Sequence, residues 1–419
     1  MNRIFNQSEF SAFKPVPKTG VIYVMTEASR RGFVKNRTDW ANFGQGAPET
    51  GMIPGSPSRI TSIPVDEDSY EYSPVGGNTD LKEAVASLYN QRYRKGKKSQ
   101  YTAENVAIGS GGRLALTRVV STLGTSHIGH FLPDYTAYEE LRGTFGTFIP
   151  IPILLSPEDN YSCSSQDLKM EIQGKGLSAV LISNPGNPTG RVLEGSTLQQ
   201  WIETARDQEC ALLFDEFYSH YLYDSNLTSL SAAEYIEDVN KDPVILFDGL
   251  TKNWRYPGFR ISWTLGPAPL IEAITSAGSF LDGGASHPTQ KAAVPLLEIS
   301  HANQEAESIQ THFVKKRDYL LLELKKLGIT LNKPFGGFYC WGDLSNLPES
   351  LRSGHDLFEA FLNNNGILVP GNFFDINPGK RRPKKNARFS SFARFSFGPP
   401  MQELELGVEI LKKTINEAS

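Results

Sequence analysis

The chain has 419 residues, 39% hydrophobic and 21% charged, a balance that suits a folded globular protein rather than a disordered one. A formal charge of −4 offers no general ground for nucleic acid or an anionic membrane as a partner. Three scattered cysteines exclude a disulfide scaffold, no apolar run reaches the roughly 18 residues of a membrane span, and the opening "MNRIFNQSEFSAF" lacks a signal peptide's apolar core, so a cytoplasmic protein is expected.

Residues 1–58 are rich in Gly and Pro and read as an N-terminal arm plus part of a small domain. Residues 59–300 alternate strand-like and helix-like segments. "NVAIGSGG" is a short apolar run entering a glycine turn, and "RLALTRVVSTL" after it has helical spacing. "TFIPIPILL" reads as a strand whose prolines suit an edge or a bend. "GLSAVLISNP" is a buried strand, "TLQQWIETARDQE" an amphipathic helix, and "CALLFDEFY", "PVILFDG" and "RISWTLG" are further apolar runs of strand length. Such runs, alternating with helices, predict an α/β fold: a large domain with a mostly parallel sheet flanked by helices. Residues 301–419 change texture. A long polar helix, "QEAESIQTHFVKKRDYLLLELKKLG", leads to "GGFYCWGDL", a helix "GHDLFEAFLNNNG", then "ILVPGNFF" and "ARFSFG", a smaller α+β domain. The basic stretch "GKRRPKK" (379–385) reads as a solvated loop, with a contact to an anionic substrate as the alternative.

Parallel sheets bind ligands at the carboxyl ends of their strands. Polar residues gather there: Ser110, the turn "SNPGNPTG", Asp215 with Tyr218, and Thr251 with Lys252. A strand that turns through Ser110, Gly111 and Gly112 into a helix makes an anion site of free N–H groups. Thr251 and Arg260 add a hydroxyl and a planar cation, which together suit a phosphate monoester. Tyr135 can stack on a flat ligand or simply pack. Asn187 presents an amide at a strand end or forms an Asx-turn. Asp215 closes a strongly apolar strand, a costly place for a carboxylate unless it meets a cation or donor. A protonated heterocyclic nitrogen is one such partner, and Tyr218 is placed to reach the same ligand. Lys252 alone is one more solvated charge; beside these groups it is the amine for a Schiff base. The set describes a site for pyridoxal 5′-phosphate.

The chain resembles the class I/II aminotransferases of fold type I, aspartate aminotransferase-like, over most of its length. The resemblance rests on "FGQGAPETG", "YSPVGGNTDLKEAV", "GSGGRLAL", "PDYTAY", "NPGNPTG", "DEFY", "TKNWRYPGFR" and "RFSFG", in that order. It implies a pyridoxal-phosphate-dependent transaminase that moves the amino group of an α-amino acid to a 2-oxo acid through a Lys252 aldimine. By the same resemblance Asp215 pairs with the pyridine nitrogen, Asn187 and Tyr218 bond the ring hydroxyl oxygen, and Tyr135 stacks on the ring. Gly111, Gly112, Arg113, Thr251 and Arg260 form the phosphate cradle. Arg394 grips the substrate α-carboxylate, with Asn187 and the Gly46 backbone beside it. Tyr72 reaches a neighbouring subunit's phosphate, which implies a homodimer with shared active sites.

The chain departs from the family at three places. Gly249 stands where a serine is common, Arg113 replaces a smaller residue and is positioned to compensate, and "NWRYP" after the lysine is bulky. Phe43, Trp254 and Tyr256 suggest a pocket with apolar walls, with simple packing as the alternative for Trp254 and Tyr256. Other chemistries of the same cofactor (lyase, decarboxylase or oxidase) stand as alternatives. A non-catalytic cofactor-binding regulator is disfavoured, since residues before Arg59 hold no helix-turn-helix pattern and the lysine is present.

Overall fold

Alternation of apolar runs with amphipathic segments sets the architecture. The helix Gly195–Asp207 shows how: Leu198, Trp201, Ile202 and Ala205 fall on one face at i, i+3, i+4 and i+7, and all four are buried. The helix Ser165–Lys175 is bounded by a capping box at Ser164 and a left-handed cap at Gly176. The computed structural model describes residues 18, 20–35, 37–139, 148–378, 382–383 and 386–418.

Among the described residues, seven strands form the main sheet: β1 (Val106–Gly109), β2 (His127–Leu132), β3 (Ile149–Leu154), β4 (Leu177–Ser183), β5 (Ala211–Asp215), β6 (Val244–Gly249) and β7 (Ser262–Leu265). Their spatial order is β1-β7-β6-β5-β4-β2-β3. The pairs from β6 through β5, β4 and β2 to β3 are parallel. Only β7 runs against its neighbours β1 and β6. β3 is an edge strand, which accommodates Pro150 and Pro152 because an edge leaves one row of backbone groups unpaired.

A second, antiparallel sheet joins Val369–Pro370, Phe392–Ser396, Tyr339–Asp343 and Thr330–Leu331 in that order. The N-terminal segment belongs beside it in space: Ala41–Asn42 pairs with Gly366–Ile367, and the helix Gly20–Arg30 packs on the same strands. That helix is absent from the sequence expectations, which held an arm and part of the small domain there without naming its elements. The 28-residue helix Ile299–Lys326 buries Glu305, Lys316 and Arg317 among its apolar residues. Cys163, Cys210 and Cys340 are free and buried. Among the described residues, no helix is long and apolar enough to cross a membrane. Most of the basic stretch 379–385 lies outside the described residues; its Arg382 pairs with Asp375 at 2.6 Å.

Candidate active site

The carboxyl ends of β4, β5 and β6 share one edge of the sheet. Because β7 runs the other way, its start lies at that edge too, with Gly249 opposite Ser262. Arg260, two residues ahead of Ser262, therefore meets residues from the ends of the parallel strands. A cavity of about 980 Å³ opens there. Its walls include Gly46, Gly112, Arg113, Tyr135, Asn187, Asp215, Tyr218, Thr251, Lys252, Arg260 and Arg394, so one space unites most of the expected residues. Gly111 lies just behind, against Arg260. Tyr72 stands apart, outside the cavity lining and 96% exposed.

Lys252 follows β6 closely, and its Nζ donates to the carbonyl of Gly46. Burial pushes the amine down from 10.5 to about 7, the cations Arg394, Arg113 and Arg260 push the same way, and Asp215 opposes them. The segment that follows Gly46 is held from the lysine's own loop. Arg255, three residues on, donates to the carbonyls of Glu49 at 3.1 Å and Gly51 at 2.6 Å and pairs with Glu305 at 2.7 Å. Lys316 pairs with the Glu49 carboxylate at 3.0 Å. Asn253 ties the loop down from beneath: its amide donates to Asp248 at 2.7 Å and Ser219 at 2.9 Å, and its Oδ1 accepts from the His220 amide at 3.0 Å.

Asp215 ends β5 and is buried. Burial raises its pKa, while the Tyr138 hydroxyl, the Phe217 amide and Lys252 hold it down. The Tyr138 hydroxyl donates to Oδ2, leaving Oδ1 with a 3.4 Å contact from the Phe217 amide. On the other wall the Asn187 amide donates to the Tyr218 hydroxyl at 3.3 Å, and Asn187 Oδ1 accepts from Arg394 at 3.1 Å. The Tyr218 hydroxyl also meets that of Tyr339 at 3.1 Å. Arg394 is buried, donates to the Gly44 carbonyl at 3.2 Å, and lies 4.1 Å above the Tyr339 ring. Among the described residues no carboxylate pairs with Arg394, and its Nε has no hydrogen-bond partner. A buried guanidinium with an open donor is a receptor for an anion.

At the opposite end, the helix Gly112–Thr122 starts after Gly111, whose φ is +89°. A Cβ on Gly111 would meet Arg260 Nη2 at 2.0 Å, so only glycine lets the guanidinium lie on this turn. Thr251 Oγ1 is buried with no hydrogen-bond partner among the described residues. Arg113 Nη2 donates to the Tyr135 hydroxyl at 3.3 Å, a contact with Tyr135 itself. Ser110 turns away and bonds the Gly284 carbonyl at 3.3 Å.

The structure gives the missing serine at 249 a reason: a Cβ there would meet Ile261 O and Ser262 Cα, each at 2.6 Å, at the close approach of β7. The expected pocket walls need correction. Phe43, Trp254 and Tyr256 do not wall the cavity. Phe43 packs on Phe361 and Phe395, Trp254 donates to Leu296 O at 2.8 Å, and Tyr256 accepts from Ile60 N at 2.9 Å under the Arg59 guanidinium. Their size serves packing beneath the loop. The apolar wall comes from Val21, Met25, Phe33, Trp40 and Leu116.

The family described as aminotransferase class I and II matches residues 38–411. The chain belongs to the class I and II aminotransferases. A protein named probable aspartate/prephenate aminotransferase from Aquifex aeolicus is 24% identical over 98% of each chain. An aspartate aminotransferase from Sulfolobus acidocaldarius is 24% identical over 90% of each. The fold matches the aspartate aminotransferase of Thermus thermophilus, solved with maleate, at a TM-score of 0.77 and 21% identity over 98% of this chain and 99% of that one. An aminotransferase from Mycobacterium tuberculosis gives 0.78 at 22% identity, over 96% and 97%.

As a member of this family the chain is a pyridoxal-phosphate-dependent transaminase. The residues present fit that cofactor. Among the described residues Thr251 Oγ1 has no hydrogen-bond partner and is left for a phosphate, Arg260 lies against the Gly111 turn beside it, and the buried Asp215 awaits a cation. Two residues that contact the site escaped the sequence expectations, Tyr138 through Asp215 and Tyr339 through Tyr218 and Arg394. Tyr138 lies within the quoted "PDYTAY", and its spacing of three from Tyr135 was a usable signal, since both sit on one turn. Tyr339 in "GGFYCWGDL" gave none, because its partners Tyr218 and Arg394 are far off in sequence.

Proposed function

We propose that Lys252 is the amine that binds the aldehyde carbon of pyridoxal phosphate, and that the surrounding residues take the roles their geometry suits. The observation that carries this reading is the Lys252 amine in one cavity with a buried Asp215 and a buried Arg394 whose Nε has no hydrogen-bond partner among the described residues. Bound there, pyridoxal phosphate supplies a ring that accepts the electron pair left when the substrate Cα–H bond breaks. Asp215 holds the proton on the ring nitrogen. Asn187 and Tyr218 bind the ring hydroxyl oxygen, and Tyr135 covers the ring. Thr251, Arg260 and the backbone amides at Gly111, Gly112 and Arg113 hold the phosphate. Arg394 orients the substrate through its α-carboxylate, beside Asn187 and Gly46. Lys252, once released, takes the proton from Cα as general base, which an amine near neutrality can do at physiological pH.

The substrates in this reading are an α-amino acid and a 2-oxo acid. A homodimer with shared active sites is part of it, supported by the exposure of Tyr72 and its neighbour Tyr70 outside this chain's own cavity. So are a cytoplasmic location and a division at residues 1–58, 59–300 and 301–419, the last supported by the pairing of Ala41–Asn42 with Gly366–Ile367. The test is borohydride reduction of the cofactor-loaded enzyme followed by peptide mass analysis. A pyridoxyl mass on the Lys252 peptide is expected; the label on another lysine would overturn the assignment.

A further inference from the structure

Tyr339 is buried in the small sheet, yet its hydroxyl reaches the cavity wall. Its ring face carries the Arg394 guanidinium at 4.1 Å, and its hydroxyl lies 3.1 Å from that of Tyr218. Tyr218 already accepts from the Asn187 amide at 3.3 Å, so its own hydrogen is free to donate. In the proposed function that hydrogen points at the phenolic oxygen of the cofactor. The 3.1 Å contact can then run only one way, with Tyr339 donating and Tyr218 accepting. Burial raises the pKa of both hydroxyls, so both keep their protons.

We propose that Tyr339 is a positioning residue that acts on the cofactor through Tyr218. A hydroxyl that accepts a hydrogen bond becomes a better donor. Tyr339 therefore strengthens the bond from Tyr218 to the phenolic oxygen, withdraws negative charge from it, and lowers the proton affinity of the nitrogen joining Lys252 to the cofactor. The inference rests on the proposed roles of Lys252 and Tyr218.

The test uses the pyridoxal-phosphate-loaded enzyme and follows the visible band against pH. Tyr339→Phe keeps the ring under Arg394 and removes only the hydroxyl. Its midpoint is expected to rise by about half a pH unit, about a threefold change in proton affinity. In a Tyr218→Phe background the same change is expected to shift nothing further, because the relay is already cut. An unmoved or lowered midpoint in Tyr339→Phe overturns the proposal. So does an equal shift in both backgrounds, which marks a merely structural effect. If wild type forms no visible band, or Lys252→Ala keeps it, the proposed function itself falls and takes this inference with it.

Discussion

An ordinary lysine at neutral pH is almost wholly protonated and makes no nucleophile. Lys252 is held at about 7 instead of 10.5 by burial and by Arg394, Arg113 and Arg260. At pH 7 its neutral fraction rises from roughly one in 3,000 to about half. The assay is competitive acetylation of the cofactor-free enzyme, with the Lys252 peptide quantified by mass spectrometry against pH. Reactivity should climb through a midpoint near 7 and then level. The neighbours predict the sign of two further shifts. Arg113→Ala removes a repelling cation and should raise the midpoint by about 0.5 unit, while Asp215→Asn removes an attracting anion and should lower it. The same lysine couples to stability. Between about 7 and 10.5 the unfolded chain binds this proton and the folded chain does not, so its contribution makes stability rise with pH across that window. A midpoint near 10, or two substitutions that move it the same way, would refute the electrostatic account of the site.

Arg394→Lys keeps the charge and loses the planar fork, so KM for the amino acid should rise by about 10- to 100-fold; an unchanged KM contradicts α-carboxylate binding there. Gly249→Ser restores the hydroxyl common in the family yet should cost about 1–3 kcal/mol in urea unfolding, because its Cβ meets the β7 backbone. Wild-type stability in that variant contradicts the steric explanation. Tyr138→Phe strips Asp215 of a donor and should weaken cofactor binding about five- to tenfold by absorbance titration, the loss of about 1 kcal/mol. Binding as tight as wild type assigns Tyr138 to packing alone.

The strands were legible because a parallel sheet covered on both faces needs unbroken apolar runs, and "CALLFDEFY" and "PVILFDG" supply them. Strand direction was not. Nothing in "RISWTLG" tells that β7 runs backwards, and that reversal brings Arg260 to the site and forbids a side chain at 249. Residues that meet the ligand region at strand ends could be nominated from their chemistry, as Asp215 and Lys252 were. Residues that support them through distant partners could not. Tyr339 and Arg255 act through partners that only folding brings near. Trp254 and Tyr256 show a choice the sequence left open: aromatic bulk beside a reactive lysine suits a pocket wall or packing, and burial assigns it to the packing that seats the loop.

The central claim is transamination through the Lys252 cavity, and a single half-reaction tests it most directly. Cofactor-loaded enzyme is mixed with one amino acid at a time, without any 2-oxo acid, and its absorbance is followed. With a true amino donor, the aldehyde band should convert stoichiometrically to that of pyridoxamine phosphate, and adding a 2-oxo acid should restore it. Persistence of the aldehyde band while ammonia or carbon dioxide is released would contradict the account.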